Sequence, residues 1–157
     1  MLYTENTPEP KENKKYDVFR FSMEDVKEQN PWNDFPVIKN ETEGTFVTKM
    51  VTSEFSSYCP WTGHPDYATL TIEYKIPPQG VAVEQKALRD WLNKFRTIDA
   101  YQEEITYAIK QMIHEVCQLP LEDIFVEVDW KGRGGISNKV TVWYSLTLTF
   151  LAVLLIP

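Results

Sequence analysis

The chain has 157 residues, 43% of them hydrophobic and 13% aromatic, which is enough apolar material for one core and excludes a chain disordered from end to end. Sixteen Lys plus Arg against 23 Asp plus Glu leave a net charge of −7, which repels phosphate backbones and argues against stable nucleic-acid binding. Two cysteines, Cys59 and Cys117, are too few for a disulfide framework.

The opening MLYTENTPEPKENKKYD is polar and mixed in charge, without the apolar stretch of a secretory signal, so the cytoplasm is the expected location. Residues 1–15 read as a flexible tail, and no repeat or linker divides 16–157, which reads as a single domain. Residues 16–42 are irregular, with Phe19, Phe21, Trp32, Phe35 and Ile38 as expected anchors and Asn30-Pro31 and Phe35-Pro36 as interruptions.

Thr, Val and Phe enrichment predicts a strand over about 44–51, and Pro60, Gly63 and Pro65 predict a turn-prone stretch over 53–66. A second strand is expected over 67–75, where Ala68, Leu70, Ile72 and Tyr74 share one face. Pro77-Pro78-Gln79-Gly80 ends it. Two amphipathic helices follow. In the first, 84–95, Leu88, Trp91, Leu92 and Phe95 recur at helical spacing; in the second, 101–118, Ile105, Ile109, Met112, Ile113 and Val116 do so. Asp99 is the expected N-cap of the second, with Gln102 three residues on, and Pro120 closes it.

A third strand over 124–130, a turn over 131–135 and a return strand over 140–150 complete the pattern. No charged residue occurs from Val140 to Pro157, yet period-two alternation marks a strand, and the solidly apolar run Phe150–Ile156 is too short to cross a bilayer. No membrane partner is expected. The order ββααββ implies an α+β fold, a four-stranded antiparallel sheet with two helices packed on one face. Its open sheet edges imply a homo-oligomer.

The segment from Ser56 to Asp66 carries the richest chemistry. Cys59 sits in a Pro- and Gly-rich connection with a carboxylate, Asp66, seven residues on. One reading is a small buried thiol and a turn aspartate. The other is a nucleophilic thiolate with an acid that can protonate the atom becoming negative. Cys59, His64, His114 and Cys117 also compose a possible zinc set, although Cys117 borders the apolar stripe of its helix and reads as core.

The run Cys59-Pro60-Trp61-Thr62-Gly63-His64-Pro65-Asp66-Tyr67-Ala68-Thr69 resembles the signature of the 7-cyano-7-deazaguanine reductases, the QueF family of nitrile reductases, roughly C-P-x-[ST]-G-x-P-D-[FY]-A-T. Glu84-Gln85-Lys86-Ala87-Leu88-Arg89-Asp90-Trp91 is similar to its cofactor-associated motif, E-[SL]-K-[SA]-h-K-x-[YFW], and Phe95-Arg96 continues it. Tyr101-Gln102-Glu103-Glu104 stands in the place of F-H-E-[DE], and Arg133-Gly134-Gly135-Ile136 in that of R-G-G-[IN]. The likeness spans about 60% of the chain, from Thr45 to Ser137.

The resemblance implies the tunnelling fold, oligomers with active sites between subunits, NADPH as cofactor and a small 7-deazaguanine substrate in queuosine biosynthesis, a tRNA modification. Cys59 would attack the nitrile to form a thioimide, and Asp66 would protonate its nitrogen. Val83, Glu84, Gln85, Gln102 and Glu103 would hold the base, Glu103 accepting from its adjacent N–H donors. Lys86, Arg89, Arg96 and Arg133 would carry positive charge toward the NADPH phosphates; as bare helix residues the first three read as a solvated face.

The chain departs from the pattern at Gln102, where reductases place a histidine, at Gln85, at Arg89 for Lys and at Gly132 for Pro. A glutamine hydrogen-bonds but relays no proton. Relatives of the family that keep the cysteine and aspartate let ammonia attack the thioimide, forming archaeosine in tRNA without NADPH. A zinc-dependent pterin-type enzyme of the same fold and a non-catalytic base-binding module are further alternatives. The retained cofactor motif and the negative charge favour the reductase.

Overall fold

The computed structural model describes residues 23–60, 62–98 and 100–143. In chain order its elements are α1 (Met23–Gln29), β1 (Val37–Lys39), β2 (Phe46–Tyr58), β3 (Pro65–Ile76), β4 (Val81–Val83), α2 (Gln85–Asn93), α3 (Gln102–Cys117), β5 (Ile124–Arg133) and β6 (Ile136–Thr141). The main sheet is antiparallel, ordered β2-β3-β5-β6. With α2 and α3 between β3 and β5, the α+β pattern expected from the sequence is present. A two-stranded β1–β4 ribbon and α1 are added to it.

Alternation builds the sheet's inner face. On β3, Asp66, Ala68, Leu70, Ile72, Tyr74 and Ile76 are buried while the residues between them are more exposed. Val126, Val128 and Trp130 of β5 join this face. Leu88, Trp91 and Leu92 of α2 and Ile105, Ile109, Met112 and Ile113 of α3 cover it, forming one continuous core. Cys117 lies in that core, as expected from its place on the stripe.

Several boundaries differ from the sequence reading. β2 continues through 53–58, which reads as turn-prone, because its pairing with β3 absorbs an extra residue. Thr52 pairs with Leu70 and Phe55 with Ala68, so three steps on β2 match two on β3. This bulge reverses the strand's phase and turns Phe55 inward, against Phe95 at 6.1 Å and Trp130 at 5.7 Å between ring centroids. The first helix ends earlier than expected, at Asn93, and Lys94–Thr97 follow as a 3₁₀ turn.

The N-cap of α3 is Tyr101, not Asp99, which is outside the described residues. Its capping box uses Glu104, whose Oε2 accepts from Tyr101 N at 2.6 Å, rather than Gln102. At the other end of the chain, β5 runs to Arg133 and β6 starts at Ile136. The turn is just Gly134-Gly135, with φ of 63° and 88°. Two successive positive φ values are what a two-residue hairpin needs, and glycine adopts them without strain. Of the strand expected over 140–150, Val140 and Thr141 belong to β6, Val142 and Trp143 follow it, and 144–157 lie outside the described residues. So do the tail 1–15, Phe19 and Phe21.

The segment before β2 is anchored more fully than its irregular sequence suggests. Asn30 Nδ2 donates to Trp91 O and Trp91 Nε1 donates to Asn30 O, both at 3.1 Å. Trp32 is buried, edge-on to Trp91 at 6.0 Å, with its Nε1 donating to Glu115. Phe35 is partly buried against the core. Ile38 is not an anchor; all three residues of β1 are exposed, Ile38 at 58%, and the buried residue of the ribbon is Val83 of β4.

Candidate active site

The β2–β3 hairpin brings the cysteine and the aspartate to one end of the sheet. Tyr58 pairs with Pro65 and Ser57 with Asp66, so the connection is 59–64. Cys59 N donates to His64 O at 3.0 Å and Gly63 N donates to Cys59 O at 2.8 Å, closing a tight loop in which Gly63 takes φ 66°. Cys59 is half-buried. Asp66 is 5% exposed, and its cross-strand partner Ser57 is 1% exposed. Inward phase on β3 is what buries the carboxylate.

A groove of about 640 Å³ runs between β2 and α2. Its floor is apolar, with Met50, Phe55, Leu70, Ile72 and Leu88, and its rim carries Lys86, Arg89 and Arg96 with Glu84 and Gln85. Three of the four cations expected at a cofactor therefore share one groove. Arg133 is in β5, and its side chain is outside the described part of the structure. Arg96 is held by two bonds to β2, from Nε to Ser56 Oγ at 3.0 Å and from a terminal nitrogen to Glu54 O at 3.2 Å. Lys86 and Arg89 both reach Asp90, at 2.8 and 3.2 Å. Hydrogen bonds from Lys86, then from Arg89, hold the Asp90 carboxyl below its ordinary range.

The residues expected at the base divide between two places. Val83 is buried, and its N–H donates to Tyr74 OH at 3.2 Å. Glu84 caps α2, accepting from Lys86 N at 2.9 Å and Ala87 N at 2.7 Å. Those backbone bonds hold its carboxyl low. Gln102 and Glu103 open α3, Glu103 exposed and Gln102 half-buried with Oε1 accepting from Asn138 Nδ2 at 2.8 Å. Cys59, Asp66, Gln102 and Glu103 are not among the residues of the groove.

Sequence reasoning missed Ser56, Ser57 and Asn138. The serines have no pattern of their own, because only the bulge turns this stretch of β2 into a packed strand. Asn138 lies just after a stretch read as turn, before a strand expected to start at 140. The four residues of the possible zinc set do not assemble. Among the described residues no three His, Cys, Asp or Glu side chains come together, and His114 Nδ1 is 2.5 Å from Leu119 O.

A family model described as "QueF-like protein" matches residues 65–147. The chain belongs to the QueF family. A relative from Chlorobaculum parvum is 38% identical over 100 residues, 64% of this chain and 83% of its own. One from Caldicellulosiruptor bescii is 43% identical over 104 residues, 65% of this chain and 75% of its own. One from Wolinella succinogenes is 29% identical over 123 residues, 78% of this chain and 95% of its own. Each of these QueF relatives is named NADPH-dependent 7-cyano-7-deazaguanine reductase. Among the described residues no helix is long and apolar enough to cross a membrane.

Proposed function

We propose that this chain is an NADPH-dependent 7-cyano-7-deazaguanine reductase, working in the cytoplasm in queuosine biosynthesis. The observation that carries this reading is the hairpin end that presents Cys59 beside a buried Asp66, in a chain whose relatives bear that name. The Cys59 thiolate attacks the nitrile carbon, forming the C–S bond, while Asp66 delivers a proton to the nitrogen. The product is a thioimide, and burial of Asp66 keeps that proton away from bulk water. When bound, NADPH would supply two hydrides to the thioimide carbon; with a second proton reaching the nitrogen from solvent or through Asp66, the carbon would arrive at the aminomethyl level and the Cys59 thiolate would be released.

The β2–α2 groove fits such a dinucleotide. Its volume is within the range of cofactor sites, its floor suits a flat ring, and Lys86, Arg89 and Arg96 suit phosphate oxygens, with Arg133 assigned the same role from the motif. Glu103 accepts from the N–H donors of the base; Val83, Glu84, Gln85 and Gln102 complete its pocket. Glu84 acts there chiefly through its backbone, since its carboxylate is engaged in capping.

The working form is a homo-oligomer. β2 and β6 are open edges, Ile136 of β6 is 78% exposed, and Val47 and Val51 of β2 are exposed as well. A second chain would bring the base-holding residues and the Cys59 end together. No stable nucleic-acid partner is expected of a chain with net charge −7.

The test is NADPH oxidation by purified protein on adding 7-cyano-7-deazaguanine, with the product identified by mass. About two NADPH consumed per nitrile is the stoichiometry a nitrile-to-amine reduction requires. Absence of nitrile-dependent oxidation would overturn the proposal.

A further inference from the structure

Gln102 occupies a position where the resemblance places a histidine, and the structure gives its side chain a specific partner. Its Oε1 accepts from Asn138 Nδ2 at 2.8 Å. Asn138 reaches it from β6, half-buried and opposite Trp130 in the register, which puts it on the inward side of the strand. The helix backbone is fixed at the same point, because Thr106 Oγ1 donates to Gln102 O at 2.8 Å.

We infer that Asn138 is a positioning residue, which turns the Gln102 amide so that its Nε2–H donors face the substrate base. The inference rests on the functional reading above. An amide is planar, so an oxygen held toward one donor turns the NH₂ group away from it. Among the described residues Nε2 has no acceptor of its own. The next residue, Glu103, offers only acceptor oxygens once ionised. Positions 102 and 103 together then present a neutral donor beside a charged acceptor. The edge of a guanine-like base presents the complement, a carbonyl oxygen beside N–H groups. A histidine in the same place changes its donor pattern with protonation, whereas the Gln102–Asn138 pair keeps one pattern at every pH the protein tolerates.

The sign of the Asn138 contact is testable because it can be reversed without changing shape. In Asn138→Asp the donor becomes an acceptor, which repels Oε1 and rotates the amide to present oxygen to the base. Asn138→Ala merely releases it.

Steady-state kinetics on both variants, on Gln102→Ala and on the double variant Gln102→Ala/Asn138→Ala, alongside thermal unfolding, decide the matter. Asn138→Ala is expected to raise KM for the nitrile base about tenfold, the equivalent of one lost hydrogen bond, with KM for NADPH unchanged. Asn138→Asp is expected to raise it further at unchanged melting temperature. The double variant should be no worse than Gln102→Ala, because Asn138 acts through Gln102. An unchanged KM for the base in both Asn138 variants, or full additivity in the double variant, overturns the inference. If one Asn138 variant fails to fold, the other carries the same comparison. Wild-type protein inactive on the nitrile would mark a failure of the functional reading itself, and the inference would fall with it.

Discussion

Ser57 and Asp66 face each other across β2 and β3, both buried at the end of the hairpin that carries Cys59. Ser57 is two residues from the cysteine, so the acid and the thiol are held by one short piece of ladder. Under the proposed function Asp66 donates a proton, a role that an isosteric amide cannot fill. Asp66→Asn is expected to keep the fold and lower nitrile turnover by roughly 10²–10⁴, the usual worth of a general acid. The melting temperature and the NADPH-oxidation rate, measured on one preparation, check both halves. Turnover within a few-fold of wild type would remove Asp66 from the chemistry.

Gly63 offers a cleaner probe of the loop than any change at the cysteine. Its φ is 66°, and a Cβ there would meet nothing within 4 Å. Gly63→Ala therefore tests backbone conformation without a clash. The expected penalty is about 1–2 kcal/mol of loop strain. The strain acts on the two hydrogen bonds that close the loop, from Cys59 N to His64 O and from Gly63 N to Cys59 O. Adduct formation should slow while the core, probed by near-ultraviolet circular dichroism, stays intact. Unaltered adduct kinetics would show that the loop geometry does not set the thiol.

Asp90 competes for two of the cations assigned to NADPH. Lys86 and Arg89 both contact it on an exposed helix face. Asp90→Asn is expected to lower KM for NADPH by roughly two- to fivefold, with an effect that shrinks at high salt. Arg96→Ala should raise that KM and also loosen the 3₁₀ turn from β2, because its guanidinium binds Ser56 and Glu54. If neither change moves KM for NADPH, the cofactor lies elsewhere.

The buried thiol of Cys117 makes a prediction about alkaline stability. Burial pushes its pKa up from 9.0 to about 11. A raised folded-state value stabilises the protein fully below the unfolded pKa, and that contribution is lost as pH rises from about 9 toward 11. The loss is on the order of 2 kcal/mol. Tyr74, also pushed up by burial, adds to the decline above pH 10. Denaturant unfolding at pH 8, 9 and 10 should show falling stability, with a flatter slope in Cys117→Val. Equal slopes would mean the thiol ionises alike in both states.

Much of this fold was legible because hydrophobic period decides it. The alternation of Ala68, Leu70, Ile72 and Tyr74 and the stripe of Ile105, Ile109, Met112 and Ile113 each fixed an element and its buried face. What escaped depends on pairing. The one-residue bulge between Thr52 and Phe55 reverses the phase of β2, and no local pattern announces it. The two-glycine turn was visible as a turn, but the strands on either side reach closer to it than the sequence reading has them, because after a bulge between Trp130 and Arg133 the ladder resumes with Arg133 opposite Ile136. The tyrosine cap of α3 was hidden because tyrosine is not a usual cap residue; Glu104 makes it work. Of the candidate site, the motifs singled out Cys59, Asp66, Gln102 and the cations Lys86, Arg89 and Arg96. Ser56, which bonds to Arg96, Asp90, which bonds to Lys86 and Arg89, and Asn138, which bonds to Gln102, became visible once the strands and helices were side by side.

The most direct measurement is the intact mass of the protein after incubation with 7-cyano-7-deazaguanine alone, repeated with Cys59→Ala. The account predicts an increase equal to the mass of the base on wild-type protein, none on the variant, and loss of the adduct as NADPH is added and the amine appears. No adduct on wild-type protein together with no NADPH oxidation would contradict it.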